Sequence, residues 1–317
     1  ELGAVYSLAV TNENPNQVFA GSNTGIFRST NAGETWASVW SNQERQGGEI
    51  YSLSNTAANP SLLFAAHTEI GILRSDNGGS TWTQANNGIT DTRIHEVVIA
   101  PSNPQIIYAG SHDGVFRSND GGLSWESRTK GIGFPNVTTL DVHPRNPDVV
   151  YAGTGVQNTT NHHKHFVPGF QSDDGMYVTK DGGLSWTRTD TGVEEHGIVT
   201  LTSDPNLPFR FWLGGRAGRG AFMTPNGGTT FLYNPSPASH YAMMIASGKH
   251  PPHALYMTSW QRGAELTKSE DMGETWTSLT AQLISSVSTE SRAAGLYRDS
   301  GVPVLHLHGL AIDPNDD

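Results

Sequence analysis

Short apolar runs separated by turn-forming clusters run along the whole chain. The stretch from residue 94 to residue 128 shows the pattern most plainly. Residues 94–99 (Ile-His-Glu-Val-Val-Ile) are β-rich and end in Pro101-Ser102-Asn103-Pro104. Residues 106–110 follow, then 114–118 (Gly-Val-Phe-Arg-Ser) and 125–128. Each run is rich in Val, Ile, Tyr or Phe, is shorter than a helix needs, and is bounded by Asn, Pro or Gly, so four consecutive strands are predicted. The turn pair Asn-Pro returns at Asn14-Pro15, Asn59-Pro60, Asn103-Pro104 and Asn146-Pro147, each time a few residues before Tyr/Phe-Ala.

A second pattern sets the period. The phrase Ser/Thr-x-Asp/Asn-x-Gly-x-Ser/Thr-Trp/Phe occurs six times, ending at Trp36, Trp82, Trp125, Trp186, Phe231 and Trp276. The steps between these aromatics are 46, 43, 61, 45 and 45 residues. A repeat near 45 residues holding four strands predicts an all-β β-propeller of four-stranded blades. The blades are expected at about 1–45, 46–90, 91–132, 133–193, 194–237 and 238–303, in one domain spanning residues 1–317. Residues 304–317 repeat a first strand and its turn, so a partial seventh blade is expected. A longer native chain, or strands donated by a partner chain, would complete it and cover its edge.

Within the phrase, Asn31, Asn77, Asp120, Asp181, Asn226 and Asp271 are predicted to accept bonds from nearby backbone N–H groups and so hold a tight turn. The following Gly supplies a backbone conformation closed to a β-carbon. The aromatic is expected to pack between neighbouring blades. This phrase resembles the Asp-box, or BNR repeat. Propellers that carry it include sialidases, xyloglucan-cleaving glycosidases, sortilin-type receptors and a photosystem II assembly factor. The resemblance covers essentially the whole chain and implies a fold. It does not select an activity, because its carriers are hydrolases, receptors and assembly factors.

Composition narrows the classes. Only 35% of residues are hydrophobic and 36 are Gly, which suits short strands and turns. No run of 18 apolar residues exists to span a membrane as a helix. There is no cysteine, hence no disulfide framework and no cysteine-ligated zinc, and this weighs against a close tie to the cysteine-rich receptors. A net charge of −11 disfavours nucleic acid, whose phosphates require Lys and Arg. The first residue is Glu1 rather than Met, which with the Asp-box resemblance leads us to expect a removed leader and a secreted or periplasmic protein.

Departures from the regular repeat fall on one face, formed by the connections from second to third strands and from fourth strands to the next blade. Long loops on a rigid scaffold commonly carry function. His162, His163 and His165 lie in the insertion at about 154–174 and supply ligand types for a divalent metal. His95, His196, His240, His306 and His308 fall near the openings of first strands, where they would line the channel mouth. Solvated or hydrogen-bonded loop histidines are the simpler account, and no cofactor is predicted, with a divalent metal as the alternative.

Arg216, Arg219, Arg262, Tyr241, Glu194 and Glu195 match the residue types of a sialidase site, but the Arg-Ile-Pro motif of that family is absent. Asp113, Glu69, Asp190, Glu194 and Glu195 are the carboxylates for glycosidase chemistry, which needs a pair about 5–10 Å apart. Trp260, Phe134, Phe166 and Phe170 suit sugar stacking or a protein anchor. Arg216, Arg219, Trp260 and Arg262 are the expected ligand-binding residues, and Asp113, Glu194, Glu195 and Tyr241 the catalytic candidates. No complete catalytic set matches a family pattern. The expected function is therefore noncatalytic binding of a protein or glycan partner through the loop-rich face. The alternatives are a glycoside hydrolase, sialidase-like or xyloglucanase-like, and a metal-binding propeller.

Overall fold

The computed structural model describes residues 2–11, 13–41, 47–155, 175–189, 198–204, 206–207, 209–215, 221–234, 242–247, 254–259 and 265–279. Among them the chain folds into six four-stranded antiparallel sheets, each a meander in sequence order. The first blade holds β1 (Val5–Val10), β2 (Val18–Ser22), β3 (Gly25–Ser29) and β4 (Ala37–Ser41). The second holds β5 (Ile50–Asn55), β6 (Leu63–His67), β7 (Gly71–Ser75) and β8 (Thr83–Gln84). The third comprises β9 (Ile94–Ile99), β10 (Ile107–Ser111), β11 (Gly114–Ser118) and β12 (Glu126–Ser127). The fourth comprises β13 (Val137–Val142), β14 (Val150–Thr154), β15 (Met176–Thr179) and β16 (Thr187–Arg188). The fifth is β17 (Ile198–Ser203), β18 (Phe211–Gly215), β19 (Ala221–Thr224) and β20 (Leu232–Asn234). The sixth is β21 (Ala242–Ser247), β22 (Leu255–Ser259), β23 (Glu265–Ser269) and β24 (Thr277–Ser278).

First strands stand side by side in order, β1 on β5, β5 on β9, β9 on β13, β13 on β17 and β17 on β21. This is the inner wall of a β-propeller. Among the described strands the series ends at β21, which is not set against β1 in the same way. Residues 304–317, the expected seventh start, lie outside the described residues.

The apolar core is divided among the junctions between blades. One cluster joins Phe64 and Ile72 of the second blade to Ile94, Val97 and Trp125 of the third, and four others join the remaining successive pairs. Sheets buried face to face in this way suit second strands that are buried at every described position, as in β6, β10 and β14. Neighbouring first strands form no mutual ladder, so side chains bridge their backbones. Ser7 Oγ donates to Ile50 O at 2.9 Å, Asn55 Nδ2 to Val10 O at 2.8 Å, and Ser52 Oγ to Val97 O at 3.3 Å. Further round, Thr138 Oγ1 donates to Ile198 O, and Ile245 N–H donates to Thr200 Oγ1. Asp141 belongs to the same stitching: it accepts from Ser203, and burial pushes its carboxyl up to about 6.

Candidate functional site

The six phrases all form one turn between third and fourth strands. The hydroxyl at its first position donates to the Asp/Asn Oδ1, at 2.8 Å for Ser29–Asn31 and Ser118–Asp120 and 2.7 Å for Thr179–Asp181. The same oxygen accepts the N–H of the seventh residue, as in Thr35 to Asn31 and Thr81 to Asn77 at 2.9 Å. Where the third residue is Asn, its Nδ2 donates to the seventh hydroxyl, as Asn226 does to Thr230 at 3.0 Å. Where it is Asp the donation reverses, from Ser124 to Asp120 at 2.5 Å, Ser185 to Asp181 at 2.6 Å, and Thr275 to Asp271. These bonds stabilise the carboxylate form and hold Asp120, Asp181 and Asp271 down at about 2. All six residues are thus turn builders.

Two positions of the phrase, not one, need the left-handed region. The fifth is Gly in every copy, with φ between 78° (Gly79) and 91° (Gly33 and Gly273). The fourth also has positive φ, and there Ala32 (55°) and Met272 (64°) stand where the other copies have Gly. The fourth N–H explains the conformation, because it donates to the loop between first and second strands of its own blade. Gly78 reaches Ser61 O at 3.0 Å, Gly121 reaches Gln105 O at 2.9 Å and Gly182 reaches Asp148 O at 2.9 Å. The aromatics then reach the preceding blade: Trp82 meets Phe19 edge-on at 6.3 Å, Trp125 meets Phe64 at 6.4 Å, and Trp186 Nε1 donates to Arg128 O at 2.6 Å.

The opposite, loop-rich face starts at the upper ends of the first strands. Each first strand carries a β-bulge at the same place: the register steps over Tyr6, Tyr51, His95, Thr138, Val199 and Met243. A bulge re-aims the side chain at the extra residue. In the first three blades this brings tyrosines and acids together. Tyr6 and Tyr51 stack edge-on at 5.3 Å. Burial, then the charge of Glu49, raises the Tyr6 hydroxyl above its ordinary range. Glu49 Oε2 accepts from Thr68 Oγ1 at 3.1 Å, and Glu96 Oε1 accepts from Ser52 Oγ at 2.6 Å. His95 Nδ1 lies 3.0 Å from Val137 O, and since a carbonyl only accepts, Nδ1 carries the proton.

Of the catalytic candidates, Asp113 stands exposed on the β10–β11 turn, its N–H donating to Ser111 Oγ at 3.0 Å. Beside it His112 is lowered by burial and then by Arg93, which itself holds Asp91 at 2.9 Å. Glu69 is exposed on the matching turn of the second blade, and its N–H donates to His67 Nδ1 at 3.0 Å. Phe134 is half-buried on the connection leading to β13. His162, His163, His165, Phe166, Phe170, Asp190, Glu194, Glu195, His196, Arg216, Arg219, His240, Tyr241, Trp260, Arg262, His306 and His308 lie outside the described residues. Among the described residues no group of three or more His, Asp or Glu is placed to hold a metal ion. Tyr6, Glu49, Tyr51 and Glu96 were not singled out from the sequence. Aligning the first strands on Leu8, Leu53, Val97 and Leu140 puts the bulged residues in one column, which picks out Tyr6 and Tyr51 but neither Glu49 nor Glu96.

Comparison with known proteins bears on the fold. The family model described as Sortilin-Vps10 (sortilin, neurotensin receptor 3) matches residues 70–197. No curated protein sequence matches. The GH74 xyloglucanase from Xanthomonas campestris superposes with a TM-score of 0.72 at 18% identity, covering 99% of this chain and 50% of that one. A structure of YCF48 bound to D1 peptide gives 0.60 at 14% identity, over 87% of this chain and 82% of that one. The WD40 repeats of RRP9 give 0.64 at 12%, over 88% and 80%. The likeness is one of fold. The chain spans half the length, or less, of the GH74 enzymes it resembles. No helix among the described residues is long and apolar enough to cross a membrane.

Proposed function

We propose that the chain is a noncatalytic partner-binding propeller of the Asp-box kind. It acts as a secreted or periplasmic protein and engages a protein or a glycan through its loop-rich face. Residues 304–317 begin a seventh blade in this reading, and Arg216, Arg219, Trp260 and Arg262 contribute to the contact. The observation that carries it is the arrangement of carboxylates on the described part of that face. Glu49, buried, and Glu96, half-buried, are held by Thr68 and Ser52 as a fixed acceptor floor. Glu69 and Asp113 project from the short turns of adjacent blades. Acceptors presented from several blades beside tyrosines suit hydroxyl and amide donors of a ligand. YCF48, of the same fold, is described bound to a peptide.

Release of reducing ends from a panel of polysaccharides and sialosides, paired with a glycan array, tests the reading. Silence in the release assay with a saturable array signal, or with saturable binding to a purified protein, is the expected outcome. Hydrolysis abolished by Glu194→Gln or Glu195→Gln would replace it with the glycoside hydrolase reading. Hydrolysis or binding that depends on an added divalent metal would bring forward His162, His163 and His165.

A further inference from the structure

The exposed large hydrophobics among the described residues are Leu123, Leu184, Leu207, Phe209 and Leu232, each between 52% and 60% exposed. All five lie at the turn end of the third, fourth and fifth blades, opposite the loop-rich face. Leu123 and Leu184 hold the sixth position of the phrase, where the other copies have Glu34, Ser80, Thr229 and Glu274. Leu207 and Phe209 are on the β17–β18 connection, and Leu232 opens β20.

In the fourth and fifth blades these side chains belong to one run of interlocked loops. The Leu184 turn is tied to the 143–149 loop by Gly182 N–H to Asp148 O. That loop meets Phe209 through the His143 ring at 5.3 Å, and Phe209 O accepts from Gly227 N–H of the next turn at 2.7 Å. An exposed apolar patch of adjacent side chains marks an interaction site more often than chance.

Charge on the patch identifies the partner. Arg145 and Lys180 are exposed at its rim, and among the described residues neither has an ion-pair partner, a state they share with Arg28 and Lys130 away from the patch. Two anions, Asp120 and Asp181, accompany them in the turns. With the Arg117–Asp148 pair, whose carboxylate is 47% exposed, the patch balances three cations against three anions on a chain whose net charge is −11. Two such chains repel one another over most of their surface and least here. From these observations we infer that the turn face of the third to fifth blades is the interface of a twofold dimer of this chain. Leu184 and Phe209 are its anchors, and Arg145 and Lys180 of one copy meet Asp120 and Asp181 of the other. A twofold contact uses one patch on both partners, so mixed charge within that patch is self-complementary.

Sedimentation velocity of the full chain over a wide concentration range tests this. The expected result is a reversible dimer of the 34.1 kDa chain that dissociates on dilution. Leu184→Glu with Phe209→Glu should weaken it about 30-fold or more, with the thermal transition of the dilute monomer little moved because both side chains are more than half exposed. Arg145→Glu should weaken it less, by about 3- to 10-fold, and added salt should erase that difference. A chain that stays monomeric at every concentration overturns the inference, even if the patch captures some other protein. A dimer untouched by the double substitution overturns it equally. The glycan array signal, read on the opposite face, should be the same for the double variant and the parent.

Discussion

The first three junctions between blades and the next two solve the same problem with different chemistry. In β3, β7 and β11 the fourth residue is an arginine that crosses to the turn of the next blade. Arg28 Nη1 donates to Ser80 Oγ at 3.3 Å, Arg74 Nε to Gly121 O at 3.0 Å, and Arg117 Nη1 to Gly182 O at 3.2 Å. Arg117 also holds Asp148 at 2.8 Å and lies over the Tyr108 ring. The same position is Val178 in β15 and Met223 in β19, each packed against an apolar cluster. There the cross-blade hydrogen bonds come from elsewhere, from Thr189 Oγ1 to Gly228 O at 2.8 Å and from Trp212 Nε1 to Met272 O at 3.3 Å. The period of the fold is fixed by the turn and its aromatic, so the arm between blades is free to be polar or apolar.

Substitutions should separate the two halves. Trp125 is buried against Phe64, whereas Phe231, its counterpart in the fifth blade, is half-buried. Trp125→Ala should cost about 3–5 kcal/mol, and Phe231→Ala about 2 kcal/mol, as read by urea unfolding. Equal costs would mean that the junctions do not differ in strength. Next in size is Arg117→Met, which keeps the stem and removes the charged donor. A loss of about 2 kcal/mol is expected, against about 1 kcal/mol for Val178→Ala.

Acid should divide the blades along another line. Asp120, Asp181 and Asp271 sit at about 2 when folded, against an ordinary 3.8, so their stabilisation is present above the unfolded value and is lost as pH falls through the folded one. Blades with Asn31, Asn77 and Asn226 carry no such dependence. Hydrogen exchange between about pH 4 and pH 2 should therefore rise first in the turns of the third, fourth and sixth blades. Asp141 runs the other way. Its folded value of about 6 means that ionisation weakens the fold as pH rises from the ordinary range through 6. Asp141→Asn should accordingly raise the melting temperature more at about pH 8 than at about pH 4. The smallest effect is expected at the two strained turns: Ala32→Gly and Met272→Gly should each gain about 0.5 kcal/mol, relief of positive φ being offset by glycine entropy.

Much of the fold is legible in the sequence because the turn writes its chemistry in side chains. Asp or Asn, Gly and Trp recur with their roles intact, and the run 94–99 is the observed β9. The fourth position escapes notice because its requirement is conformational, and Ala32 and Met272 meet it without being Gly. The bulges escape for a related reason: stepping over Tyr51 or His95 changes register by one residue and leaves composition untouched. Of the site, sequence places Asp113 and Glu69 on the correct turns. It passes over Glu49 and Glu96, whose partners Thr68 and Ser52 lie 19 and 44 residues away.

The bulges carry one more implication. Because strand pairing steps over one residue per blade at the channel end, the ladder does not dictate what that residue is. The six positions already read Tyr, Tyr, His, Thr, Val and Met. Where the letter is not itself tied to the next blade, as Thr138 is to Ile198 O and His95 to Val137 O, it behaves as interchangeable type set in a fixed frame.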